Sequence, residues 1–381
     1  MSEYQYYEFQ AIDEPLSDDV QQGLRRISSR AHITPTGFVN VYNYGDLHAD
    51  PETLLEKYFD AFCYLANWGT RRLMFRIPIG LIDEKPAGMY CLEDVVSLRR
   101  TDKFIILTFD SETEDYEWEE GEGWLSSMIG LREELLRGDF RCLYIAWLFG
   151  VQQEWVDFAE MEPPVPAGLE KLSGALSTFT RFMRIDPDLV AVAARDSAEI
   201  SESGLEQDMK TWIRGLDRDE KDEIIYYLMC GNVHHGGSRL YRRFLDDCDK
   251  SGAGSAGKKR RTAGELLAQA ALYGEERRAR DAEEQARKQA LLKKQQAHER
   301  KKYLTGLYGR ETELWRQIQS LVAGKRSADY EQAVQLLLDL RDLAQGRSEK
   351  EVFQQKLALL AQEHRRKYSF IKKLAKAGFR V

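Results

Sequence analysis

Little in this 381-residue sequence announces a catalyst, a metalloprotein or a membrane protein. The longest apolar run, Cys142-Leu-Tyr-Ile-Ala-Trp-Leu-Phe-Gly-Val151, falls well short of the roughly 18 residues that suggest a membrane span. No membrane association is therefore expected. The first residues, MSEYQYYEFQ, have neither a basic nor an apolar leader region, so a cytoplasmic address is expected. Cys63, Cys91, Cys142, Cys230 and Cys248 are scattered and odd in number, which argues for reduced thiols rather than a disulfide framework. G-x-S-x-G, P-loop, G-x-G-x-x-G and H-E-x-x-H patterns are all missing. An enzyme would have to assemble its site from distant residues, and neither cofactor nor catalytic residue is assigned.

Two clusters stop short of a metal site. Cys230-Gly-Asn-Val-His-His-Gly-Gly237, with Cys248 downstream, lacks zinc-ligand spacing, and adjacent His234 and His235 cannot easily share one ion. It reads as a polar turn between helices. Residues 110–123 are dense in Asp and Glu but lack a calcium-loop spacing. They read as a solvated acidic loop or a landing site for the basic tail.

What is present is a division of charge. Residues 1–254 hold 47 Asp and Glu against 26 Lys and Arg, whereas residues 255–381 hold 16 against 29. A basic tail on an acidic body can bind a polyanion, dock on its own body, or pair with another copy. Composition alone does not choose among these.

The acidic half opens with strand-forming aromatics over residues 4–12, and residues 18–29 continue with Val20, Leu24 and Ile27 on one helical face. Residues 38–44 alternate as a half-buried strand. Asp50 and Pro51 supply an N-cap and a first-turn proline. The stripe Leu54, Leu55, Tyr58, Phe62 and Leu65 extends that helix to a stop at Asn67-Trp-Gly69. Residues 72–77 form a further strand closed by Pro78, and residues 97–109 a hairpin about Thr101-Asp102. Helices take over from Trp124, with Trp212, Ile213, Leu216, Ile225, Tyr226 and Leu228 as packing faces. The expected class is α+β. A small mixed sheet with helices on one face (1–123) precedes a helical region (124–250), a Gly/Ser-rich basic linker (251–261), a long charged helix (262–302) and a basic helical tail (303–381) containing a helical hairpin.

The charged stretch is the organising element. Thr262 and Glu265 have capping-box spacing, and Glu276–Arg280, Glu283–Arg287 and Glu284–Lys288 are acid-before-base pairs four residues apart. As continuous helix, residues 275–302 would measure roughly 42 Å at about 1.5 Å per residue. Ala279, Ala282, Ala286, Ala290 and Ala297 share one face. The stretch reads as a solvated spacer helix, as a narrow alanine seam against a partner helix, or as a disordered segment. In the tail, Ser327, the Ser348–Glu351 spacing and Ser369 signal helix starts, and His364 lies on an apolar stripe as a packed side chain.

Tyr4-Gln-Tyr-Tyr-Glu-Phe-Gln-Ala-Ile-Asp13, Ile33-Thr-Pro-Thr36, Tyr58-Phe-Asp-Ala-Phe62 and Ala66-Asn-Trp-Gly-Thr70 carry a resemblance to a family of uncharacterised bacterial cytoplasmic proteins. The segment Tyr330-Glu-Gln-Ala-Val-Gln-Leu-Leu-Leu-Asp-Leu-Arg-Asp-Leu-Ala344, with His364-Arg-Arg-Lys-Tyr-Ser-Phe370, is similar to C-terminal helical regions of some SWIM zinc-finger proteins. The SWIM pattern C-x-C followed by C-x-H is absent, so no metal ligand carries over. The resemblance implies a helical interaction unit among partners that handle nucleic acid.

The leading expectation is a non-enzymatic interaction or adaptor protein that meets a protein partner, or a second copy, through the 262–302 helix and the C-terminal helices. The alternative is a nucleic-acid-associated accessory protein. Its phosphate contacts would be Lys258, Lys259, Arg260, Arg261, Arg365, Arg366, Lys367, Lys372 and Lys373, joined by Lys293, Lys294, Lys301 and Lys302.

Overall fold

The aromatic segment near the N-terminus becomes β1 (Gln5–Gln10), an inner strand of a sheet. A computed structural model describes residues 3–113, 118–199, 202–229, 233–249, 260–324, 326–347 and 349–379. Two compact units divide the chain, residues 1–277 and 278–381.

In the first unit, β1 is joined by β2 (His32–Thr34), β3 (Gly37–Tyr42), β4 (Ala61–Ala66), β5 (Arg71–Pro78), β6 (Val96–Arg100) and β7 (Phe104–Ser111). Their order is β2-β3-β1-β4-β5-β7-β6, and every neighbouring pair is antiparallel. The class is α+β, but the sheet is antiparallel rather than mixed. Short hairpins such as β4–β5, turned at Gly69 with φ +101°, favour that pairing. The expected β6–β7 hairpin is present.

Helices cover both faces of the sheet, not one. Tyr7, Phe9, Phe38, Phe62, Met74 and Ile106 pack beneath α1 (Asp18–Ile27) and α2 (Pro51–Tyr58). Ring centroids in this cluster lie 4.4 Å apart for Phe9–Phe62 and 5.0 Å for Phe9–Phe59. Alternate residues, including Cys63, Leu73, Phe75, Leu107 and Phe109, face a second core. That core takes in α3 (Glu84–Gly88), α4 (Trp124–Met128), α5 (Gly130–Leu136), α6 (Arg141–Gln152), α7 (Gly174–Phe182) and α8 (Pro187–Ala194). A strand covered on both sides has no polar face, so Ala61-Phe-Cys-Tyr-Leu-Ala66 reads as a plain apolar run. The helix expected through Leu65 therefore ends at Tyr58, as the Phe59 N–H closes on the Leu55 carbonyl, and β4 comes next. Buried Asp60 fixes this turn: its carboxylate accepts the N–H groups of Ile12 (2.7 Å) and Asp13 (2.9 Å) and pairs with Arg76 at 2.7 Å.

The core runs without a break across residue 123, where a boundary between sheet and helical regions was expected, and it extends to Ala263, Leu266 and Ala270. α9 (Glu202–Gly215), α10 (Arg218–Met229) and α11 (Val233–Asp249) come after α8. Trp212 packs on Phe244 of α11 at 5.8 Å between centroids. Ile213, Ile225 and Tyr226, expected to form packing faces, stay exposed. The segment 233–237, expected as a turn, starts α11 with His234 and His235, while Cys230 lies outside the described residues.

α12 (Ala263–Gly306) begins in the first unit and continues into the second. The second unit adds α13 (Glu311–Ala323), α14 (Ser327–Gly346), α15 (Lys350–Glu363) and α16 (Tyr368–Lys376). α14 packs on α13, α15 and α16, and its Tyr330, Leu337 and Leu340 share one core with Ile318, Leu357 and Phe370. The expected two-helix hairpin is thus part of a larger bundle, because α14 buries residues on more than one face. Ser327 is the first residue of α14, whose N-cap is Arg326, and Ser369 lies inside α16, whose N-cap is Lys367. Ser348 lies outside the described residues.

Candidate functional site

The long helix starts from a built foundation. Residues 158–162 and 261–264 run antiparallel: Glu162 N–H donates to the Arg261 carbonyl at 2.9 Å, Ala263 N–H to Glu160 at 2.9 Å and Gly264 N–H to Phe158 at 3.0 Å. A Cβ on Gly264 would sit 3.1 Å from the Phe158 oxygen, so any other residue there would make the two segments part by a few tenths of an ångström. The capping box forms as expected, with Glu265 N–H donating to Thr262 Oγ1 at 3.2 Å and Thr262 N–H to Glu265 Oε2 at 2.9 Å.

Beneath this ladder, Arg261 is buried. Its Nε donates to Glu162 Oε2 at 3.0 Å, its Nη2 to Glu162 Oε1 at 2.9 Å and its Nη1 to the Val192 carbonyl at 3.0 Å. Glu162 is 2% exposed and also accepts the Tyr144 hydroxyl, while Asp196 approaches Arg261 at 3.0 Å. Burial, first, and the Glu162 charge push the Tyr144 phenol well above its ordinary pKa, so it donates at any physiological pH. Arg277 then grips buried Asp188 through two bonds, 2.7 and 3.0 Å. Arg195 lies over the Tyr273 ring at 4.8 Å.

Past these anchors the helix is bare. Residues 278–299 are exposed on every face, including the five alanines of the expected seam and Leu291 and Leu292. Glu284–Lys288 forms as expected at 2.6 Å, but an exposed pair of this kind is worth only about 0.3–0.5 kcal/mol. In the second unit, Arg300 meets Asp339 at 2.6 Å and Asp342 at 2.8 Å, and Tyr303 donates to Asp339 at 3.0 Å.

The basic residues proposed for nucleic acid do not share one fate. Lys258 and Lys259 lie outside the described residues. Arg260 is exposed, but Arg261 is spent on Glu162 and is not a free cation. Lys367 donates to the Val322 carbonyl at 2.6 Å, and Lys373 pairs with Glu331. Arg365, Arg366 and Lys372 are exposed without an acidic partner among the described residues, beside Tyr368, which is 78% exposed. The described parts of the acidic stretch dock on the sheet of their own unit. Asp110 pairs with Arg72, Glu119 with Arg71, Trp118 lies 4.7 Å from the Tyr4 ring, and Gly121 N–H donates to the Tyr4 hydroxyl. Among the described residues no group of three His, Cys, Asp or Glu side chains is placed to hold a metal ion. No helix among them is long and apolar enough to cross a membrane.

The chain has no significant match to any family model, curated protein or solved structure.

One feature escaped the sequence entirely. A cavity of about 1220 Å³ opens in the first unit among the ends of α5 and α6, the segment 166–173, Ala198, Glu199 and α11. Phe140, Tyr90 and Tyr241 line it, together with Glu134, Glu170, Glu199, Lys171, Arg137 and Arg141. Burial, its largest influence, raises the Glu134 carboxyl above its ordinary pKa, and a hydrogen bond with Ser173 opposes the rise. These residues come from distant parts of the chain, so no local pattern could have flagged them.

Proposed function

We propose that this is a non-enzymatic interaction protein whose contact element is the bare stretch of α12, and that its occupant is the same stretch of a second copy, running antiparallel. The observation that carries the reading is the contrast along one helix. It is anchored by a buried ion pair and core side chains at one end, then exposed on all faces over residues 278–299. The charge pattern supports the antiparallel direction. Residues 275–286 hold five acids and three bases, residues 287–302 one acid and seven bases, so reversing one copy sets unlike ends together. The alanine seam supplies the narrow apolar strip on which two helices can close. A cytoplasmic address fits the five scattered cysteines, of which Cys63, Cys91 and Cys142 are free thiols.

Light scattering of the full chain over a wide concentration range tests this. Dimerisation that weakens with salt, and that Ala282→Glu with Ala286→Glu abolishes, is expected. Both positions are exposed, so the fold should survive the change. A chain that stays monomeric to about 100 μM would end the proposal, since a specific contact of this kind should reach roughly micromolar affinity.

A second reading is favoured by the unpaired Arg365, Arg366 and Lys372 around exposed Tyr368, a basic and aromatic surface suited to single-stranded nucleic acid. Fluorescence anisotropy with a labelled oligonucleotide should show binding that falls steeply with salt and weakens in Tyr368→Ala. No retention at low salt removes it.

A further inference from the structure

We propose that the cavity of the first unit is a binding site for a small aliphatic polyamine. The site does not depend on how α12 is used.

The site is defined by which of its charges are already spent. Arg141 holds Asp139 through Nε (3.0 and 2.9 Å) and Nη2 (2.6 Å), and gives Nη1 to the Gly168 carbonyl at 3.0 Å. Arg137 is taken by Glu133 at 3.1 Å. Two helix N-termini that would otherwise attract an anion are also occupied. Asp139 accepts the Arg141 N–H at the start of α6 (3.0 Å), and Ser173 accepts the Leu176 N–H at the start of α7 (3.1 Å). What remains is Glu134, which takes a hydrogen bond from Ser173 and the attraction of Arg141 and Arg137, and the exposed carboxylates Glu170 and Glu199, against the ammonium of Lys171. Glu170 and Glu199 have no basic partner among the described residues.

The walls agree with that sign. Tyr90 has committed its hydroxyl to the Pro164 carbonyl at 2.8 Å, so what it adds to the wall is chiefly ring surface. Its centroid lies 6.4 Å from that of Phe140, and Tyr241 of α11 also lines the cavity. Aromatic faces and unpaired carboxylates together are the surroundings in which an alkylammonium is bound, the rings attracting cationic methylenes and the carboxylates taking N–H groups. The volume exceeds what a metal ion or one ammonium would fill, and is somewhat above the roughly 300–1,000 Å³ of small-ligand sites. Three separate carboxylates match a chain with several amino groups better than a single charge.

Isothermal titration of the full-length protein with spermidine, in about 150 mM salt to suppress diffuse attraction, tests the assignment. One saturable equivalent is expected. Glu134→Gln and Tyr241→Ala should each weaken it by about tenfold or more, the loss of a charge-assisted bond or of an aromatic wall. Glu170→Gln, at an exposed position where folding is not at stake, is the second variant and should weaken binding in the same direction. Magnesium chloride at equal ionic strength should not displace spermidine. The proposal is overturned if spermidine fails to saturate in that salt, if all three variants bind as the parent does, or if magnesium displaces it as readily as spermine does.

Discussion

Arg261 offers the sharpest test of the structural reasoning, because sequence and structure give it opposite roles. As a free cation in a basic cluster it would be dispensable to folding. As the partner of Glu162 it cannot be removed cheaply. Arg261→Ala leaves a carboxylate that is 2% exposed with the Tyr144 hydroxyl as its remaining side-chain donor. Removing one member of a buried, hydrogen-bonded ion pair costs about 3–5 kcal/mol, against about 0–1 kcal/mol for an exposed cation. With a urea dependence near 3 kcal/mol per molar, the midpoint of the transition assigned to the first unit should fall by roughly 1–1.7 M. Tryptophan fluorescence can follow it, since six of the seven tryptophans, all but Trp315, belong to that unit. Arg261→Met with Glu162→Gln removes both charges, and should lose much less than the two single changes added together. A midpoint shift below about 0.2 M for Arg261→Ala, the range of an ordinary surface change, would refute the buried-pair account, and more so if oligonucleotide binding fell at the same time.

Two further outcomes rest on local geometry. Gly69→Ala should destabilise the first unit by at least about 1–3 kcal/mol in a urea or thermal melt, because φ is +101° and a Cβ would run into the Thr113 carbonyl oxygen. Glu8→Gln should raise the melting temperature at pH 7. Burial, its largest influence, lifts the Glu8 pKa above 4.5, so the folded state favours the protonated form and this contribution, complete below 4.5, is lost as pH rises. The gap between variant and parent should therefore close below pH 4.5, and a variant that is less stable at pH 7 would contradict the reasoning.

The elements that could be read from the sequence were those whose causes are local. Asp50 with Pro51, and Thr262 with Glu265, each cap a helix within three residues of themselves, and each does so in the structure. β4 could not be read, since a strand covered on both sides loses the alternation that separates strand from helix. The roles of Arg261 and of the cavity depend on residues far away: Glu162 is 99 positions from Arg261, and the cavity draws on residues from Tyr90 to Leu245. The exposed Ile225 and Tyr226 show the converse, a pattern that satisfies a packing rule without a partner being supplied within the unit.

The anchoring of α12 separates two borders that coincide nowhere. Charge changes sign near residue 255, but the fold of the first unit does not close until residue 277. The intervening residues are basic by composition and belong to the acidic body by packing. A protein shortened at Gly257 would lose Arg261, Leu266 and Ala270 together, stranding Glu162 and opening the core, whereas one ending just beyond Arg277 keeps them all. Any functional difference between such truncations has to be judged with that loss in view, because the first cut removes structure from the acidic body and the second removes only the bare helix and the C-terminal bundle.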